Sequence, residues 1–155
     1  MQKITTFLWF DRQAEEAAKF YCSIFPDSKI LTIARYPEGG PGPAGSVMTV
    51  EFQLAGQRFM ALNGGPTFKF TEAISLMVEC ETQKELDAYW DKLSAGGREV
   101  ECGWLKDRYG LSWQIVPSGI GKMISDPKRG PKVAEAVWKM KKLDIEALRR
   151  AYESA

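Results

Sequence analysis

The stretch Cys102–Gly103–Trp104–Leu105–Lys106–Asp107–Arg108–Tyr109–Gly110–Leu111–Ser112–Trp113–Gln114–Ile115–Val116–Pro117 reads as strand, tight turn, strand. Asp107 supplies a carboxylate that accepts from nearby backbone, and Gly110 takes a positive φ at no Cβ cost, so the turn falls between them. From Leu111 the chain alternates. Leu111, Trp113 and Ile115 point to one face, and Ser112, Gln114 and Val116 to the other. Gln114 is therefore a polar side chain in a strand of Trp, Ile and Val. Where such a strand lines a pocket, Gln114 meets a ligand or a metal.

Upstream of this stretch lies a helix–strand unit. Ala73–Glu79 reads as a strand. Thr82 with Glu85 three residues on forms a capping box. Gln83–Ser94 carries Leu86, Tyr89, Trp90 and Leu93 on one helical stripe, and Ala95–Gly96–Gly97 ends it. Arg98–Cys102 reads as the next strand. The same order occurs earlier in the chain. Ile4–Phe10 is a strand, and Asp11 is placed to cap a helix over Ala14–Phe25 whose stripe is Ala17, Phe20, Tyr21 and Ile24. Strands follow at Lys29–Tyr36, Val47–Leu54 and Arg58–Leu62. A shift of about 69 residues lays Ala17 on Leu86, Phe20–Tyr21 on Tyr89–Trp90 and Ile24 on Leu93. Each half is thus β-α-β-β-β, and a helix on one face of each sheet leaves the other faces to curl into a cleft.

This predicts an α+β fold of two tandem βαβββ modules, residues 1–65 and 71–117, with C-terminal helices over 118–155, in one structural domain. Pro37–Gly45 is dense in Pro and Gly, which suits a loop over a site or a plain hairpin connection. The linker Thr67–Thr71 holds Phe68 and Phe70. In the tail, Gly119–Asp126 reads as a short helix, broken by Asp126–Pro131. A helix over Lys132–Lys142 and a last one over Ile145–Tyr152, capped by Asp144, follow. Their apolar stripe covers either the chain's own sheet or a second subunit.

The chain has 155 residues, formal net charge +1, three cysteines and no histidine. Interspersed charge argues against a nucleic-acid groove. Cys22, Cys80 and Cys102 are far apart, which argues against a disulfide framework or thiolate zinc site and fits a reducing cytoplasm. No stretch reads as a signal peptide or membrane span. The absence of histidine excludes Ser–His–Asp and Cys–His catalysis and any imidazole metal site. Cys22 and Cys102 read as inert thiols.

Glu51 and Gln114 form the first candidate pair. They either face each other across a cleft and hydrogen-bond a polar ligand, with a desolvated Glu51 as base, or are ordinary strand residues that face solvent or hydrogen-bond to backbone. Trp9, Trp104, Phe68 and Phe70 are aromatic candidates for a flat or apolar ligand, alongside Trp113 and Phe59, and core packing accounts for them equally. Asn63 ends a strand and either donates to a ligand carbonyl or serves the turn. No catalytic residue stands out.

The duplicated pattern with Phe20–Tyr21, together with Phe7–Leu8–Trp9–Phe10, Phe59–Met60–Ala61–Leu62–Asn63–Gly64–Gly65, Tyr89–Trp90–Asp91–Lys92–Leu93 and Cys102–Gly103–Trp104–Leu105–Lys106–Asp107, resembles the vicinal oxygen chelate (glyoxalase/bleomycin-resistance) superfamily. Within it the chain looks like the PhnB-like branch labelled 3-demethylubiquinone-9 3-methyltransferase. The resemblance implies paired βαβββ modules and a homodimer. It also implies a divalent metal held by four strand residues, at positions that align with Thr6, Ala73, Glu51 and Gln114. One carboxylate and one amide offset little of a metal's dehydration cost, so no metal ligand and no cofactor are expected. S-adenosylmethionine would need a Gly-rich strand-to-helix turn, and Gly39–Gly40, Gly64–Gly65 and Gly96–Gly97 are not placed for one. The expected function is metal-free binding of a small molecule. The alternatives are a metal-dependent glyoxalase-like lyase, isomerase or dioxygenase, and the methyltransferase of the label.

Overall fold

The repeat read from the helical stripes is a repeat of topology. In the computed structural model, which describes residues 1–155, the chain divides into two units, Met1–Phe70 and Thr71–Ala155. The first runs β1 (Thr6–Phe10), α1 (Ala14–Ile24), β2 (Lys29–Arg35), β3 (Val47–Leu54) and β4 (Gln57–Asn63). The second runs β5 (Ser75–Cys80), α2 (Gln83–Ser94), β6 (Arg98–Glu99), β7 (Trp104–Lys106) and β8 (Ser112–Pro117), then α3 (Ile120–Ser125), α4 (Gly130–Trp138) and α5 (Ile145–Glu153). The sheets have the same strand order, β1-β4-β3-β2 and β5-β8-β7-β6. The first and last strands of each module pair in parallel, and the others pair antiparallel. The fold is α+β, two βαβββ modules with C-terminal helices.

Each helix buries most of the stripe its spacing marks, with Phe20 and Tyr89 only half-buried. α1 buries Ala14, Ala17, Ala18, Tyr21 and Ile24, and α2 buries Leu86, Trp90 and Leu93. The Tyr21 ring stacks on Phe52 at 6.4 Å, and Phe52 on Phe59 at 5.6 Å. These contacts fix which face of the first sheet meets α1. Burying a side chain such as Phe52 contributes about 1.5–3 kcal/mol. Thr82 Oγ1 accepts from Glu85 N at 3.1 Å, and Glu85 reaches back to Glu81 N at 2.9 Å, one residue ahead of the usual capping-box partner. α1 starts differently from expectation. Its N-cap is Gln13, which makes no side-chain cap, and the Ala14 N–H donates instead to Asn63 Oδ1 at 2.8 Å. Asp11 does not cap it.

The Asp107–Gly110 turn is built as read. Gly110 N donates to Asp107 O at 2.9 Å, and Gly110 has φ +87°. Asp107 is only 3% exposed. Its Oδ1 accepts from Tyr109 N (2.8 Å) and Leu111 N (3.1 Å), and its Oδ2 from Trp113 Nε1 (2.9 Å). A buried carboxylate that accepts three N–H groups holds the turn and the following strand together.

Two expected elements are shorter than their patterns. The strand expected over Arg98–Cys102 holds only Arg98–Glu99, and the helix expected over Lys132–Lys142 ends at Trp138. The strand end has a visible cause. Cys102 and Gly103 lie at φ 62° and 83°, and their N–H groups donate to Met140 O and Lys141 O, each at 2.7 Å. Those amides are therefore not free for a longer strand. The tail thus packs on its own unit. Gln83 adds two bonds, from Nε2 to Leu143 O (3.0 Å) and from Ile145 N to its Oε1 (2.8 Å), and Val133, Leu143 and Leu148 are buried. Asp144 caps α5 through Ala147 N at 3.0 Å. β5 begins at Ser75, so Ala73 precedes the strand on which it was expected.

Candidate functional site

A cavity of about 830 Å³ lies in the first unit, between the ends of β1 and β4 and the β2–β3 loop. Trp9, Tyr36, Pro41, Met48 and Leu62 supply carbon surface, and Asp11, Arg12 and Asn63 polar edges. Glycine lets the backbone approach both rings. A Cβ on Gly64 would lie 2.4 Å from the Trp9 indole, and one on Gly42 would lie 2.5 Å from the Tyr36 ring. The polar ends of the rings are satisfied by backbone: Trp9 Nε1 donates to Gly65 O (2.9 Å) and Tyr36 OH to Asn63 O (2.6 Å). The rings therefore offer a ligand their carbon surface. The charges are few: Arg12 is exposed with Asp11 at 4.0 Å, and Glu15 pairs with Lys19.

Of the residues the sequence singled out, Trp9 and Asn63 line this cavity, and Phe68 packs edge-on against Trp9 at 4.9 Å. Asn63 has both ends of its amide engaged, Oδ1 by Ala14 N and Nδ2 by Val47 O at 3.1 Å. Phe70 sets its ring edge-on to Phe10 at 5.3 Å. Glu51, on β3, faces Arg58 at 3.6 Å. In the second unit, Gln114 Nε2 donates to Ser75 Oγ at 2.9 Å, and Trp104 lies beside Gln114 in the ladder. Tyr36 and Gly42 were not anticipated. The signal for them was weak, a tyrosine ending an edge strand just before the Pro/Gly loop. Burial pushes the Cys80 thiol up to about 12, with a smaller contribution from Glu85, and raises Cys22, so neither is a thiolate at neutral pH.

The family model described as 3-demethylubiquinone-9 3-methyltransferase matches residues 2–116. This chain belongs to that family. The PhnB protein of Bacillus cereus, which carries the same description, is 44% identical over 76% of this chain and 100% of its own, with a TM-score of 0.70. PA1353 of Pseudomonas aeruginosa shares the fold, at 18% identity over 75% of this chain and 96% of its own and a TM-score of 0.61. No curated protein matches the chain. The family is a PhnB-like branch of the vicinal oxygen chelate superfamily, for which the sequence resemblance implies a metal held on strand residues.

The residues of this family member do not fit such a metal. The ladders run Phe7–Met60–Glu51 in the first sheet and Met77–Gln114–Trp104 in the second. Strand order makes β4 the counterpart of β8, so the position matching Gln114 is Met60. Glu51 is one strand further out, which corrects the alignment that gave it a ligand's place. Thr6 pairs with Phe59, on the face toward α1, while Phe7 takes the position beside Met60. The central positions thus carry a phenyl ring, two thioethers and an amide, poor donors for a hard divalent ion. No three Asp, Glu, Cys or His side chains come together.

The methyltransferase label meets a similar mismatch. The strand-to-helix turns, residues 11–13 after β1 and 81–82 after β5, contain no glycine. Gly39–Gly40 lie between two strands, Gly64–Gly65 follow β4, and Gly96–Gly97 follow α2. None forms the turn that cradles an adenosyl cofactor in a βαβ unit.

Proposed function

We propose that this chain is a metal-free small-molecule-binding protein of the glyoxalase-like superfamily. The supporting observation is the first unit's cavity, walled by rings whose polar ends are already tied to backbone. Its ligand is flat and largely apolar, held by Trp9 and Tyr36, with Phe68 bracing Trp9. Asn63 shapes the wall and offers the ligand no free amide group. Phe70, Glu51, Gln114 and Trp104 are further ligand-contact candidates. The donor-poor ladders support the metal-free half of the reading. Native mass spectrometry of the protein purified from its own host tests it. A bound organic molecule is expected, and its loss in Trp9→Ala. A protein that carries none, and binds no member of a panel of aromatic compounds, contradicts it.

We also propose a cytoplasmic homodimer. Phe7, 55% exposed, sits on a sheet position opposite the helix-covered face of its own unit, and burial against a second copy would remove that apolar area from water. No helix is long and apolar enough to cross a membrane. Light scattering at micromolar concentration is expected to read twice the chain mass, and a monomer contradicts the proposal.

A further inference from the structure

One row of the second sheet carries polar groups that the fold does not use up. The ladder places Ser75, Ser112 and Lys106 side by side on β5, β8 and β7, so their side chains share a face, and Gln114 lies two residues along β8 on that same face. Ser112 is 1% exposed, and its Oγ is buried without a hydrogen-bond partner. A buried hydroxyl left unpaired costs free energy, so its presence in a strand otherwise suited to Val or Ile calls for a reason. Ser75 Oγ accepts from Gln114 Nε2, which turns the Ser75 hydroxyl hydrogen away from Gln114. Lys106 is ion-paired with Glu72, but an ammonium has three N–H bonds and Glu72 occupies only part of that capacity. The row is therefore rich in donors. Beside it, Met77 and Trp104 flank Gln114 and supply carbon surface.

We infer that this row anchors the acid group of a small organic acid, with Ser75, Ser112 and Lys106 donating to its oxygens and Met77 and Trp104 covering its apolar body. The inference rests on the metal-free reading only in treating Gln114 as a hydrogen-bonding residue rather than a metal ligand. Glu72 then competes with the ligand for Lys106.

Titrations followed by NMR test this, using benzoate and its uncharged isostere benzamide, and reading the Gln114 side-chain amide and the Trp104 indole N–H. Benzoate is expected to shift both signals saturably, with benzamide weaker by roughly tenfold. Ser112→Ala is expected to weaken benzoate by roughly tenfold without lowering the melting temperature, because the hydroxyl it removes has no partner. Glu72→Gln is expected to tighten benzoate severalfold by freeing Lys106. Equal binding of benzoate and benzamide overturns the inference, as does no binding of either. So does a Ser112→Ala variant that melts earlier yet binds unchanged, because the hydroxyl would then be structural. These outcomes are separable from the metal question, since a protein that binds manganese fails the metal-free reading whatever benzoate does.

Discussion

Asp107→Ala is expected to destabilise the protein by about 3–5 kcal/mol, because it strands several buried N–H groups at once. Asp107 is 3% exposed and accepts from Tyr109 N, Leu111 N and Trp113 Nε1. Asp107→Asn separates charge from acceptor count. An asparagine keeps the volume and one oxygen for the two turn amides, but it sets an N–H against the Trp113 indole N–H. It is expected to cost roughly 2 kcal/mol, mostly on the indole side. Urea unfolding followed by near-ultraviolet circular dichroism, which reports on buried tryptophan, measures both. An Asn variant as stable as the parent would mean that the indole bond contributes nothing.

Gly97→Ala is expected to cost about 3 kcal/mol by forcing backbone apart from backbone, at the upper end of overpacking effects. A Cβ there would lie 2.1 Å from Lys106 O and 2.6 Å from the Asp107 carbonyl carbon. Neither neighbour can rotate away as a side chain would. Gly110→Ala is the control. Gly110 has φ +87° and open space around its Cβ position, so it is expected to cost only about 1 kcal/mol, for the left-handed conformation alone. Thermal unfolding of the two variants side by side checks the order. Equal losses would show that conformation, and not the close approach of residue 97 to the 106–107 backbone, decides the position.

The features that sequence reading recovers in this chain are those whose cause is local. The 107–110 turn, the Thr82–Glu85 cap, the Asp144 cap and the two buried helix stripes each depend on residues a few positions apart. What it missed depends on partners far along the chain. Asn63 caps α1 from 49 residues away, and Met140 and Lys141 stop β6 by taking the N–H groups of Cys102 and Gly103. Trp113 reads as a core residue, and nothing in its spacing says that its indole binds the turn carboxylate. The candidate site divides in the same way. Trp9 was legible as an aromatic strand residue, whereas Tyr36 and Gly42 enter the cavity only because the loop folds back on the strand that precedes it. The resemblance puts Glu51 one strand off because sequence spacing carries no ladder register, which only the pairing of β4 with β1 and β3 supplies.

In the proposed metal-free reading, Phe7, Met60, Met77 and Gln114 stand at the central ladder positions, and none is a strong donor to a hard divalent ion. Isothermal titration of the purified protein with manganese and with zinc, alongside elemental analysis of the protein as isolated, tests it most directly. No stoichiometric metal in the protein as isolated and no saturable heat at micromolar concentration are expected. One equivalent of either metal bound per chain, lost on substitution of Gln114 by Ala, would contradict it.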